Sequence, residues 1–316
     1  MHIGSLKLPG KLLLAPMADV TNVAFRLMCK KYGASMVFSE MIDVEGIINQ
    51  SLNSISRLAS CDQDKPLGIQ LSGSTSTSFE KAAKIVEKQY QPDLIDINFG
   101  CSARHIIKKG CGAALLSKPQ LMSDIVKRVS LAVNVPITAK MRMYSSYEKT
   151  SEIAKSLEVA GVNAITIHPR TYDQNYSHSA NWDVIRKLKN ELSVPVIANG
   201  DIVDERSAEK VIEYTGCDGI MIGRAAIGNP YIFRRIEHYL KTGEYLEPLS
   251  KEEQVNDFFN YVSLLNKCNM LDYANIKLHA KWFTKGINGG KLVRTRINAA
   301  DNIDMIMEIM GEIIDY

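Results

Sequence analysis

Residues 94–116 read LIDINFGCSARHIIKKGCGAALL. The opening run has the apolar character of a buried strand, yet it ends in Asn98-Phe-Gly-Cys101-Ser, so an amide, a glycine and a thiol leave the core together. Taken alone, the stretch is equally a strand, a turn and a cysteine that only packs, because cysteine is among the residue types most often buried and inert. Its neighbours decide. Comparable runs recur as LLLAPM (12–17), MVFSEM (36–41), LGIQLSG (67–73), VPITAKMR (135–142), AITIHPR (164–170), VPVIANGD (194–201) and DGIMIGRA (218–225). Between them, FEKAAKIVEKQY (79–90), LMSDIVKRVSLA (121–132), EIAKSLEVAG (152–161) and SAEKVIEYTG (207–216) space their apolar residues as helices do. Strand–helix units repeated eight times predict an α/β fold of the (β/α)8 TIM-barrel type, in which reactive groups gather where strands run into the following loops. The alternative is a doubly wound sheet, whose GxGxxG fingerprint after the first strand is missing.

The chain's 316 residues are 46% hydrophobic, which suffices for a large core. A formal charge of +3 leaves any nucleic-acid contact to local clusters rather than to the global balance. Cys29, Cys61, Cys101, Cys111, Cys217 and Cys268 are scattered, without a CxxC pair or a His/Cys cluster, so a reducing cytoplasmic setting and no structural metal are expected. The only early apolar run, LLLAP, stops at Pro16, and neither a signal peptide nor a membrane span is expected. Strand signals cease before SKEEQVNDFFNYVSLL (250–265), where Ser250 and Glu253 have capping-box spacing. The expected division is a barrel over residues 1–245 and a small all-helical C-terminal domain over residues 246–316.

The polar residues fall at strand ends. Pro16, Met17 and Ala18, Gln70, Asn98, Lys140 with Arg142, His168, Asn199-Gly200-Asp201 and Gly223-Arg224 close successive runs and should converge on one mouth. Lys140 and Arg142, two apart on a strand, point to the same side, and two cations there imply an anionic ligand. Each residue alone has a plain structural role open to it, but strand ends rarely all finish in small or hydrogen-bonding residues unless they rim a site. Asn199-Gly200-Asp201 and Gly223-Arg224 suit a phosphate, since small residues admit backbone amides and Arg224 adds charge. A flat conjugated ring above the mouth would use Gln70 for its heteroatoms and Lys140 for the negative charge gained on reduction, as reduced flavin requires.

With these motifs in place, the sequence resembles the tRNA-dihydrouridine synthases over nearly its whole length. The resemblance rests on LLLAPMADVTNVAFR (12–26), GIQLSG (68–73), DINFGCSARHIIKKGCGAALL (96–116), AKMR (139–142), HPRTYDQNYSHSANWD (168–183), VIANGDI (196–202) and GIMIGRAAIGNPYIF (219–233). It implies an FMN site formed by Pro16, Met17, Ala18, Gln70, Lys140, His168, Asn199, Gly200, Asp201, Gly223 and Arg224. It also implies a catalytic thiol at Cys101 and a uracil held by Asn98, Arg142 and Tyr176. Ser102 departs from the family pattern, which usually has Pro after the cysteine. The family's reductant is NADPH (or NADH), a transient visitor, consistent with the missing dinucleotide fingerprint.

Reduction of the uracil 5,6 double bond places a hydride on carbon 6 and a proton on carbon 5, and a thiol such as Cys101 is a suitable proton donor. The tail KLHAKWFTKGINGGKLVRTR (277–296) carries Lys277, Lys281, Lys285, Lys291, Arg294 and Arg296 with no acid between them, interleaved with Trp282 and Phe283. That mixture suits RNA, so Lys277, Lys281, Arg294 and Arg296 are expected to hold tRNA, with Arg104, His105, Lys108 and Lys109 contributing near the site. A monomer is the expected state. A small-molecule flavin dehydrogenase of the dihydroorotate dehydrogenase type and a non-catalytic RNA-binding protein are the rival readings.

Overall fold

In the computed structural model, residues 1–315 are described. The eight expected strands all form: β1 (Leu12–Leu14), β2 (Val37–Asp43), β3 (Leu67–Ser72), β4 (Leu94–Phe99), β5 (Ile137–Arg142), β6 (Ala164–His168), β7 (Val196–Asn199) and β8 (Gly219–Ile222). Neighbours pair in parallel from β2 round to β8, and β8 returns to β1 through Ile220–Leu12, Met221–Leu13 and Ile222–Leu14. A bridge between Leu13 and Met36 completes the ring. The chain is therefore a (β/α)8 barrel, as the strand–helix repeat predicts.

Alternation along the strands sorts the side chains. Leu12 and Leu14 belong to the layer between strands and helices, whereas Leu13 and Ala15 belong to a separate interior cluster with Phe38, Leu94, Ala164, Ile197 and Met221. An N-terminal hairpin, His2–Ile3 against Leu6–Lys7, adds Ile3 and Leu8 to that cluster and plugs the lower end. Two residues further along the same strand faces, the interior turns polar: Gln70 pairs in register with Asp96, Asp96 with Thr138, Asn98 with Lys140, and Arg142 with His168. The barrel is thus packed with hydrocarbon below and with hydrogen-bonding groups above.

After Ile222 the chain is helical, with Ile232–Thr242 followed by Lys251–Lys267, Tyr273–Phe283, Gly290–Ala299 and Ile303–Asp315. Ser250 and Glu253 make the capping box that their spacing suggests. These helices share one apolar core with the barrel and dock on its first helix, Val23–Lys31. Asn22 caps that helix and also donates to Tyr261 Oη at 2.8 Å and Asn275 Oδ1 at 2.9 Å, while Tyr32 donates to the Asp257 carboxylate at 2.8 Å. One expectation changes here. Phe283 is wholly buried against Phe258 and Tyr261, and Trp282 lies partly buried beside His279, so the aromatic residues of the basic tail build the helical core. No described helix is long and apolar enough to cross a membrane.

Candidate active site

A cavity of about 720 Å³ opens at the C-terminal ends of the strands. The fifteen residues expected to hold FMN and the uracil or to supply the thiol all line it: Pro16, Met17, Ala18, Gln70, Asn98, Cys101, Lys140, Arg142, His168, Tyr176, Asn199, Gly200, Asp201, Gly223 and Arg224. Lys277, Lys281, Arg294 and Arg296 are not among its lining residues.

The stretch 94–116 explains itself in three dimensions. Asn98, at the end of β4, accepts the backbone N–H groups of Gly100 (3.2 Å) and Cys101 (2.9 Å) on Oδ1, which turns the chain and presents the half-buried Cys101 to the cavity. The Cys101 carbonyl accepts Ala113 N–H at 2.9 Å, so the second half of the stretch folds beneath the first. Gly112 makes this possible: its φ is +62°, and a Cβ there would meet the Cys101 oxygen at 2.6 Å. Cys111 is buried, and desolvation pushes its thiol pKa up, as befits a packing residue.

Lys140 reaches Asn199 Oδ1 at 3.0 Å, and Asn199 donates in turn to the Met221 carbonyl. Burial pushes the Lys140 amine down to about 8, against the opposing pull of the Asp96 charge. Arg142 is nearly fully buried and donates to the carbonyls of Gly100 (3.0 Å) and Thr171 (2.9 Å), clamping the Cys101 loop to the loop after β6. Desolvation lowers its pKa as well.

On the strand next to that of Arg142, His168 accepts from Arg170 on Nε2 at 2.9 Å. A guanidinium has no acceptor, so Nε2 must accept and His168 carries its proton on Nδ1. Burial, followed by the charges of Lys140, Arg142, Arg170 and Arg224, drives its pKa down to about 2, and the ring is neutral throughout the physiological range. Gly200 packs against that ring. With φ +112° and a built Cβ only 2.7 Å from His168 Cδ2, the position has room for glycine alone. Asp201 is held by Arg170 at 2.6 Å and lies 3.8 Å from Arg224. Burial alone would raise the Asp201 carboxyl, but its bonds to Arg170 and Ala180 outweigh that and keep it low. Tyr176 roofs this end, with the Arg224 guanidinium 3.5 Å from its ring centroid and the His168 ring stacked at 6.3 Å.

Two functional side chains escaped the reading of the strand ends. Arg170 organises His168, Asp201 and the His178 carbonyl while only 1% exposed. Asp96 is fully buried beside Gln70 and below Asn98, and burial pushes its carboxyl up to about 6 despite bonds from Thr138 and Gln70. The signal for both was the two-residue rule already applied to Lys140 and Arg142, since Asp96 precedes Asn98 by two and Arg170 follows His168 by two.

Three of the four tail cations are tied to partners within the helical region. Lys277 donates to Tyr273 Oη (2.6 Å) and the Ala300 carbonyl (2.7 Å), Arg294 donates to the Thr284 carbonyl (3.2 Å), and Arg296 pairs with Glu312 at 2.5 Å. Lys281 is half-buried in the last turn of Tyr273–Phe283. Among the described residues, no cluster could hold a metal ion.

Comparison with known proteins follows the same line. The family model described as dihydrouridine synthase matches residues 13–308. Relatives named tRNA-dihydrouridine synthase B include one from Pseudomonas putida, 37% identical over 310 residues (96% of this chain, 90% of the relative). Another, from Proteus vulgaris, is 43% identical over 251 residues (79% and 77%), and one from Escherichia coli is 36% identical over 323 residues (98% and 98%). Solved structures of similar fold include histamine dehydrogenase from a Rhizobium species (TM-score 0.60, 12% identity, 84% of this chain and 50% of that one). The old yellow enzyme homologue of Zymomonas mobilis is also similar (TM-score 0.55, 14% identity, 79% and 93%).

Proposed function

The chain belongs to the dihydrouridine synthase family, and from that premise we propose that it reduces selected uridines of tRNA to 5,6-dihydrouridine, with FMN as bound cofactor and NADPH (or NADH) as transient reductant. The observation that carries this reading is the single cavity into which Cys101, Lys140 and the His168–Arg224 end all open.

The residues present fit FMN. Gly200, where a Cβ would strike the Cδ2 edge of His168, leaves its backbone open to the cavity that the Arg224 guanidinium also lines, a pairing suited to a phosphate. Asn199, Asp201 and Gly223 complete that end, while Gln70, Lys140 and the small residues Pro16, Met17 and Ala18 would hold the ring. When bound, FMN supplies the hydride that reaches uracil carbon 6. Cys101 gives its thiol proton to carbon 5, and the thiolate left behind regains a proton from water in the open mouth. Asn98 and Arg142 keep the Cys101 loop in place through the bonds described, and with Tyr176 they orient the base.

The tRNA backbone would follow the exposed cations Arg104, His105, Lys108 and Lys109 beside Cys101, and continue to Lys277, Lys281, Arg294 and Arg296. On this reading residues 1–245 are catalytic, residues 246–316 bind tRNA, and the protein works as a cytoplasmic monomer. The test is direct. Purified protein should show a flavin spectrum and, with NADPH and unmodified tRNA, form dihydrouridine detectable by mass spectrometry of the digested RNA. A folded protein that takes up no FMN, or one that turns over free dihydroorotate and leaves tRNA unchanged, would overturn it.

A further inference from the structure

Beneath the cavity a chain of buried hydrogen bonds crosses three strands. Thr138 Oγ1 donates to Asp96 Oδ1 at 2.6 Å, Gln70 Nε2 donates to Asp96 Oδ2 at 2.6 Å, and Asn98 Nδ2 donates to Gln70 Oε1 at 2.7 Å. Asn98 Oδ1 then receives the backbone N–H groups of Cys101 and Gly100. Every side chain in the chain is less than a tenth exposed.

The direction of this chain follows from donor and acceptor chemistry. Backbone N–H groups only donate, so Asn98 must turn its oxygen to Cys101 and its nitrogen to Gln70. Gln70 must then offer its oxygen to Asn98 and its nitrogen to residue 96, which has to accept. An ionised carboxylate accepts on both oxygens and permits no other arrangement. Were Gln70 reversed, Asn98 would reverse with it and set an NH2 group against the two backbone N–H groups of the thiol loop, leaving buried donors without an acceptor. We infer that Asp96 is a positioning residue for Cys101: by accepting from Gln70 it sets the direction of both amides and so holds the loop that carries the thiol. The role of that thiol as proton donor rests on the function proposed above, whereas its placement by Asp96 does not.

The experiment compares two variants that both lack the Asp96 charge, so that any effect on Lys140 is common to them. In Asp96→Asn, the new Nδ2 can donate to the Thr138 hydroxyl and Oδ1 still accepts from Gln70, so the direction survives. In Asp96→Asn with Thr138→Val, the amide has no fixed partner on that side and the direction is lost. Thr138→Val alone controls for loss of the hydroxyl. Two quantities are read: the rate of iodoacetamide labelling at Cys101 by peptide mass spectrometry, and the rate at which unmodified tRNA reoxidises the NADPH-reduced enzyme. The double variant should label Cys101 several-fold differently from Asp96→Asn and reoxidise at least about tenfold more slowly, the scale of a misplaced reacting group. Because Gln70 would also hold the flavin ring, both rates are taken per bound FMN, and flavin reduction by NADPH so normalised should be the same in those two variants. Equal labelling and equal reoxidation in Asp96→Asn and the double variant would overturn the inference, as would a loss shared in proportion by both half-reactions. If the wild type proves inert toward tRNA, the proposed function fails, and the labelling comparison alone judges Asp96.

Discussion

His279 offers a quantitative test of how the helical region is joined to the barrel. Its ring is completely buried, stacked on Tyr261 at 4.3 Å and set edge-on to Trp282 at 4.8 Å, and neither nitrogen has a hydrogen-bond partner among the described residues. Burial drives its pKa down to about 3, against a smaller upward pull from the Asp19 backbone, whose approach falls short of hydrogen-bond geometry. The folded state therefore keeps the ring neutral, while the unfolded chain takes up a proton near the ordinary value of about 6.5. As pH falls below that value the unfolded state binds the extra proton, and stability drops until the folded pKa is reached. From about pH 7.5 to about pH 5 this single group should cost about 2 kcal/mol, at roughly 1.4 kcal/mol per pH unit below 6.5. His279→Leu is close in volume and cannot titrate. Urea unfolding of both proteins at the two pH values should show the wild type losing about 2 kcal/mol more than the variant, all other titrating groups being common to both. Parallel losses would mean that His279 is charged or solvated in the folded protein, and would refute the packing described for Tyr261 and Trp282 around it.

Other expectations follow from the site. Cys101→Ala should keep its flavin and its reduction by NADPH but slow reoxidation by tRNA by about 10²-fold or more in stopped-flow traces, the usual scale for a lost general acid; an unchanged rate would place the proton donor elsewhere. Gly200→Ala drives a methyl into His168 at a left-handed backbone position and should yield a folded protein, by circular dichroism, that no longer retains FMN through gel filtration. FMN affinity measured by fluorescence quenching should weaken as pH rises through about 8, where the free protein's Lys140 loses its charge, and the Lys140→Gln variant should show weaker binding without that dependence. Replacing Lys277, Lys281, Arg294 and Arg296 by Ala should weaken tRNA binding and flatten its salt dependence without altering FMN content. An unchanged salt slope would make the tail a structural cap.

The barrel was legible because its period is local. Runs such as LGIQLSG and VPVIANGD carry both strand and strand end within eight residues, and the amphipathic segments between them leave few other topologies. The strand-end residues were legible for the same reason, since a (β/α)8 barrel brings all such ends to one mouth. What escaped was pairing at a distance. The tail from Lys277 to Arg296 holds no acid, but Glu312 returns from another helix to meet Arg296, and the Ala300 carbonyl returns to meet Lys277. Trp282 and Phe283 look like stacking platforms in a basic run, but the position of Phe283 on the inner face of Tyr273–Phe283 becomes clear only once Phe258 and Tyr261 pack against it. Asp96 was visible in LIDINF, yet its value depends on Gln70 and Thr138 from adjacent strands.

The polar upper half of the barrel interior is the feature from which affinity should arise. Asp96, Lys140 and His168 are each pushed toward neutrality, up to about 6, down to about 8 and down to about 2, and burial is the leading cause in every case. Such groups are costly to bury, and their hydrogen bonds to neighbouring residues offset that cost only in part. Asp96 and His168 already have partners that use their present state, a donor pair for the carboxylate and Arg170 for the imidazole. Among the described residues, Lys140 has a single neutral acceptor, Asn199, and no ion pair. A ligand that brings negative charge to Lys140 relieves a strain that the Asp96 charge relieves only in part, and by raising the amine's pKa it draws in a proton when it binds near pH 8. Proton uptake on FMN binding, measurable by calorimetry in buffers of different ionisation enthalpy, is therefore the thermodynamic counterpart of the cavity's shape.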